Sequence, residues 1–104
     1  MTNRRAGWVI NGNAAIGDII VTKAAEPKVQ HQIRSITASY NKRASGLLLV
    51  LDGDTIIWST YIHNSYDKDF TIALPNTVGN SLSVQLCSGG ILTRSRLSVI
   101  GDSL

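Results

Sequence analysis

The sequence predicts an all-β chain folded as a jelly-roll-like β-sandwich of antiparallel strands. Three observations carry that expectation. Apolar residues alternate at period two in several short segments. Turn residues interrupt those segments roughly every 8 to 12 positions, the spacing of a sandwich. No stretch repeats its apolar residues at the helical period. With 104 residues, the chain has room for one core and little more.

The first 18 positions admit two readings. MTNRRAGWVINGN joins Arg4 and Arg5 to Trp8, Val9 and Ile10, then reaches Asn11-Gly12-Asn13. Residues 1–18 form either an N-terminal arm ahead of a domain at 19–104, or the first strand of the sheet with a frayed terminus. As an arm, the segment adds a strand to a neighbour's open edge, with Trp8 filling a pocket. Arg4 and Arg5 then meet an acidic surface.

Residues 18–24 (DIIVTKA) make a short strand that Glu26-Pro27 breaks. In KVQHQIRSITASY, residues 28–40, Val29, His31 and Ile33 share one parity, and Ile36, Ala38 and Tyr40 share the other. The switch near Arg34 and Ser35 predicts a bulge or a change of sheet. NKRASG, residues 41–46, is a polar turn. The continuous apolar run LLLVL follows, with Leu47, Leu49 and Leu51 assigned to the core.

Asp52-Gly53 between two apolar runs is a hairpin signal. The returning strand TIIWSTYIH puts Ile56, Trp58, Thr60 and Ile62 on its inner face, and Ile57, Ser59, Tyr61 and His63 outside. NSYDKD, residues 64–69, reads as a polar loop. Phe70, Ile72 and Leu74 then point inward, up to Pro75-Asn76. Leu82, Val84 and Leu86 line a further strand closed by Gly89-Gly90, and Leu97 and Val99 anchor the last one, with Arg94, Arg96 and Ser98 outward.

Composition bounds the function. A hydrophobic fraction of 43% with 16% charged residues suits a packed core rather than disorder. The longest apolar run, residues 47–51, falls far short of the roughly 20 residues of a membrane-spanning helix. Arg4 and Arg5 precede too short an apolar stretch for a secretory signal, so export by that route is not expected. The single Cys87 offers no internal disulfide, which fits assembly in a reducing host cytoplasm. The net charge of +3 is scattered, which argues against a nucleic-acid partner.

Catalytic and cofactor chemistry finds no foothold in the sequence. Cys87 has only His31 and His63 as candidate bases, with no spacing that pairs them. No CxxC, HxH or HExxH supplies metal ligands, and Asp52-Gly53-Asp54 is followed by Thr55, Ile56 and Ile57 rather than by further calcium-loop carboxylates. No glycine pattern cradles a phosphate. The expectation is a non-enzyme with no cofactor and no metal. Candidate partner contacts are Arg4, Arg5, Trp8, Val9, Ile10, Tyr61, Tyr66, Arg94 and Arg96.

Several segments in order, VTKAA (21–25), HQIRSITASY (31–40), GLLLVLDGDTIIW (46–58) and NSLSVQLCSGG (80–90), with a closing strand to Gly101, resemble small all-β virion proteins of tailed bacteriophages. These look like capsid cement or decoration proteins. The resemblance implies a homo-oligomer, a trimer before a dimer, seated on the capsid exterior against the major capsid protein. It supplies no catalytic residues. The competing expectation is a carbohydrate-binding module of a tail fibre, with Tyr61 and Tyr66 presented to sugars.

Overall fold

The computed structural model describes residues 6–90 and 93–104. Within them the chain forms β1 (Ala6–Ala14), β2 (Ile19–Lys23), β3 (His31–Tyr40), β4 (Ser45–Asp52), β5 (Thr55–His63), β6 (Ser65–Pro75), β7 (Leu82–Leu86) and β8 (Ser95–Ser103). One sheet runs β1-β8-β3-β6 and the other β2-β7-β4-β5, and every pairing is antiparallel. This is the jelly-roll order, in which most connections cross between the sheets. No helix among the described residues is long and apolar enough to cross a membrane.

The inner faces meet in one core. Ile36, Ala38, Leu97 and Val99 from the first sheet pack with Ile19, Val21, Leu48, Val50, Ile62, Leu82, Val84 and Leu86 from the second. At about 1.5–3 kcal/mol per fully buried large side chain, this layer is the main favourable contribution to folding. Tyr40 closes one end, its hydroxyl donating to the Cys87 carbonyl over 2.7 Å.

Among the described residues the N-terminal segment is strand β1 of the first sheet. Nine residues pair with β8, from Ala6↔Ser103 to Ala14↔Ser95. Asn11-Gly12-Asn13 is strand rather than hinge because Gly12 faces inward, where an added Cβ would come within 2.7 Å of both the Ile19 and Val21 side chains. Arg4 and Arg5 lie outside the described residues.

The parity switch in β3 is a bulge. Pairing with β8 shifts between Ile33↔Gly101 and Ser35↔Ile100, leaving Arg34 over. On the other side, Ile33↔Leu74 and Ser35↔Asp69 leave Arg34 opposite residues 70–73 of β6. That larger irregularity turns Ile72 into solvent, which corrects its placement in the core. The Asp52-Gly53 hairpin forms as expected, with Asp52 opposite Thr55 and Gly53 at φ 58°, a value that glycine accepts without strain.

Three further placements differ from the sequence reading. In β4 it is Leu48 and Val50 that face inward, because they pair with the inward Leu86 and Val84 of β7. Leu47, Leu49 and Leu51 therefore sit on the outer face. A register shift at Val50/Leu51 leaves Ile57 as an extra residue, so Ile56 points outward while Trp58 and Ile62 point inward. Residues 65–69, expected as loop, begin edge strand β6, whose polar composition suits a strand open to water on one side.

Candidate binding surfaces

The polar groups with chemical potential are engaged in structure. His31 is buried, and its Nε2 lies 2.9 Å from the Ala24 carbonyl. A carbonyl only accepts, so Nε2 carries a proton, and Nδ1 lies 2.6 Å from Ser103 Oγ. Ser103 Oγ in turn accepts from Trp8 Nε1 at 2.9 Å. His63 Nδ1 meets Ser45 Oγ at 2.7 Å on the surface. Burial, and then the nearby Asp18 carboxylate, push the Cys87 thiol above its ordinary value. It stays protonated at neutral pH and is a poor nucleophile. Among the described residues no three His, Cys, Asp or Glu side chains converge as metal ligands.

The residues singled out from the sequence are dispersed. Trp8 is half-buried and faces inward, edge-on to His31 with ring centroids 6.4 Å apart, and Ile10 also packs against the core. Val9 points outward beside Ile100. Tyr61 is exposed on β5, with its ring edge-on to His63, whereas Tyr66 on β6 is half-buried against Trp58. The two tyrosines therefore share no platform. Arg94 and Arg96 are both exposed beside the outer face of the first sheet.

Register brings other residues to Arg96. Two cross-strand rows run over β1, β8, β3 and β6: Asn13, Arg96, Ser39 and Ser65, then Asn11, Ser98, Thr37 and Asp67. Short side chains on β3 and β8 leave an open depression of about 480 Å³ between Asn11, Asn13, Thr37, Ser39, Arg96 and Ser98. It continues past Arg96 toward Asn41 and Arg94 in a second hollow of about 290 Å³. Sequence alternation placed Arg94 and Arg96 on this side. Asn11, Asn13, Thr37 and Ser39 join them only through strand order.

The outer face of the second sheet has the opposite character. Its rows read Ile20, Gln85, Leu49 and Ser59, then Thr22, Ser83, Leu51 and Ile56, with Leu47 beside Tyr61. Ile20 is 60% exposed, Ile56 56%, Tyr61 61% and Leu47 37%. These rows contain no Lys, Arg, Asp or Glu. Leu47, Leu49, Leu51, Ile56 and Tyr61 gather on β4 and β5, while Ile20 lies across Gln85 and Ser83 of β7, and Gln85 donates to Asp18. The sequence concealed this grouping, since an unbroken LLLVL run does not reveal which leucines face out.

No protein-family model and no curated protein matches the chain. Among solved structures, it is similar to the CBM36-1 domain of a multidomain xylanase from the hindgut metagenome of Trinervitermes trinervoides. That match has 10% identity and a TM-score of 0.45, covering 98% of this chain and 86% of that one. It is also similar to PirA, with 13% identity and a TM-score of 0.47 over 97% of this chain and 95% of PirA. What the geometry establishes is an antiparallel β-sandwich.

Proposed function

We propose that this protein is a structural component that decorates an assembled shell, seating the apolar face of the β2-β7-β4-β5 sheet on the major shell protein. The observation that carries the reading is that face: a ridge of Leu47, Leu49, Leu51, Ile56 and Tyr61, with Ile20 across β7 and no formal charge in its rows. The resemblance to phage cement proteins supports the shell as the partner. Contact through these rows rests on apolar burial rather than on charge steering, which suits a dense array of identical seats.

Magnitudes favour a repeated assembly. Covering the half-exposed Ile20, Leu47, Ile56 and Tyr61 contributes about 1 kcal/mol each, half the value for full burial. A total of about 4 kcal/mol corresponds to millimolar affinity even before association entropy is subtracted. One copy on one seat therefore holds weakly. Several copies linked as an oligomer, each meeting an identical subunit, reach useful occupancy through effective concentration. That requirement accords with the homo-oligomer, trimer before dimer, that the resemblance implies.

The test is co-sedimentation of the full chain with purified shells, comparing the parent with Leu47→Ser/Tyr61→Ser. The parent should saturate at a fixed ratio, and the double variant should bind at least tenfold more weakly. Equal binding by both would remove the apolar face from the account.

A second reading, a receptor-binding module, is favoured by a different observation, the polar depression around Arg96. It lacks the aromatic platform on which neutral sugars stack, because Tyr61 and Tyr66 occupy different faces. The two readings separate by copy number per particle.

A further inference from the structure

The outer face of the β1-β8-β3-β6 sheet carries a set of polar groups that the fold itself does not use. Among the described residues, the side chains of Asn11, Asn13, Thr37, Ser39 and Ser98 make no hydrogen bond to another side chain or to backbone. Arg94 and Arg96 form no ion pair there. Three carboxylates elsewhere are engaged within the fold: Asp18 accepts from Gln85 and the Ser88 amide, Asp52 from Thr77 and Asn80, and Asp102 from Arg34. The side chains of Asn11, Asn13, Thr37, Ser39, Arg96 and Ser98 line one depression.

We propose that this depression binds an acidic saccharide, a sugar unit bearing a carboxylate or sulfate, with Arg96 and Arg94 holding the anion and the Asn, Ser and Thr side chains holding the hydroxyls. The donor set fits that chemistry. A guanidinium forks onto a carboxylate or sulfate through two parallel N–H donors. Asn amides and hydroxyls each offer a donor and an acceptor, as a sugar hydroxyl requires. No carboxylate lines these two hollows or a third beside them, between Asn13, Ala15, Arg94 and Arg96.

The same face disfavours two other ligands. A neutral sugar would need an aromatic surface, and none lines these hollows, apart from the buried Tyr40 at the edge of one. A nucleic-acid strand carries a phosphate at every step. Running along the sheet, it would meet Asp67, Asp69 and Asp102, which occupy the neighbouring outward positions, again without a base-stacking partner. A single acidic sugar confines its charge to the arginine end. The site lies on the opposite side of the sandwich from the apolar ridge, so it stands independently of the shell reading: a seated copy would leave this face outward.

The experiment applies the full-length chain to an array of carboxylated, sulfated and neutral glycans, followed by titration calorimetry with the best acidic glycan. The parent, Arg96→Gln and, as a control, Arg43→Gln in the exposed turn before β4 are compared, and a short single-stranded oligonucleotide is titrated alongside. Retention should be confined to acidic glycans. Arg96→Gln should weaken binding about ten- to hundredfold, the effect of losing one charge-assisted contact, and Arg43→Gln should bind as the parent. Unchanged melting temperatures would show that each variant is folded. No retention of any acidic glycan, equal retention of neutral ones, unchanged affinity in Arg96→Gln, or tighter binding of the oligonucleotide would each overturn the assignment.

Discussion

Replacing Trp8 by alanine separates a strand that belongs to the core from an arm that does not. The indole is half-buried, and an added Cβ at Gly101 would run into it, so the ring fills the space beside the β8 backbone. Its Nε1 begins a hydrogen-bond chain through Ser103 to His31 and on to the Ala24 carbonyl, linking β1, β8, β3 and the segment after β2. Full burial would make Trp→Ala cost roughly 3–5 kcal/mol, and half burial brings that to about 2. Losing the donor to Ser103 adds about 1 kcal/mol. With about 4–8 °C of melting temperature per kcal/mol in a domain of this size, Trp8→Ala should melt at least about 12 °C below the parent. Trp8→Phe, which keeps most of the packing and loses the donor, should fall by about 1 kcal/mol. Thermal unfolding followed by circular dichroism reads both. A Trp8→Ala protein melting within about 2 °C of the parent would refute the integration of β1 and favour the arm.

Other perturbations test the remaining parts of the fold. Leu48→Ala should cost about 2–5 kcal/mol in urea unfolding, while Leu47→Ser, one residue away on the outer face, should stay within about 0.5 kcal/mol; the reverse order would invalidate the assigned phase of β4. Gly101→Ala forces a Cβ against the Gln32 carbonyl and the Trp8 ring and should destabilise by about 3 kcal/mol, at the upper end of overpacking costs. Partial burial opposes the charge of Asp52, but hydrogen bonds from Thr77 and Asn80 outweigh it and hold the carboxyl below its ordinary value. That contribution is complete above about pH 4 and is lost as pH falls through the lower folded-state value. The stability gap between the parent and Asp52→Asn, measured by urea unfolding, should therefore shrink on acidification, and a pH-independent gap would contradict the assignment.

Where one face of a strand is polar, the sequence is easily read. Leu82, Val84 and Leu86 alternate with Ser83 and Gln85, and Leu97 and Val99 with Arg96 and Ser98, so both strands and their inner faces follow directly. The bulge at Arg34 is legible for the same reason, as a break in alternation. Legibility fails where composition is uniform or misleading. In LLLVL every residue is apolar, so only pairing with Val84 and Leu86 sets the phase. Asn11-Gly12-Asn13 looks like a turn, yet Gly12 is required beneath β2 and the two asparagines face out. The charged residues 67–69 look like a loop because an edge strand is wet on one side.

The same logic governs the two outer faces. Arg94 and Arg96 were visible as a pair on one parity, whereas their companions come from β1 and β3, far away in sequence, and join them only through the order β1-β8-β3-β6. The apolar ridge was hidden because its residues resemble core. An exposed leucine and a buried one are the same letter, and only the neighbouring strand decides between them.

The central claim, a structural role on an assembled shell, is tested most directly by counting. Quantitative mass spectrometry of particles purified from the source gives the ratio of this chain to the major shell protein. The account predicts a ratio near one or a simple fraction such as one third. A handful of copies per particle, or none, would contradict it, and the former would move the protein to the receptor-binding reading.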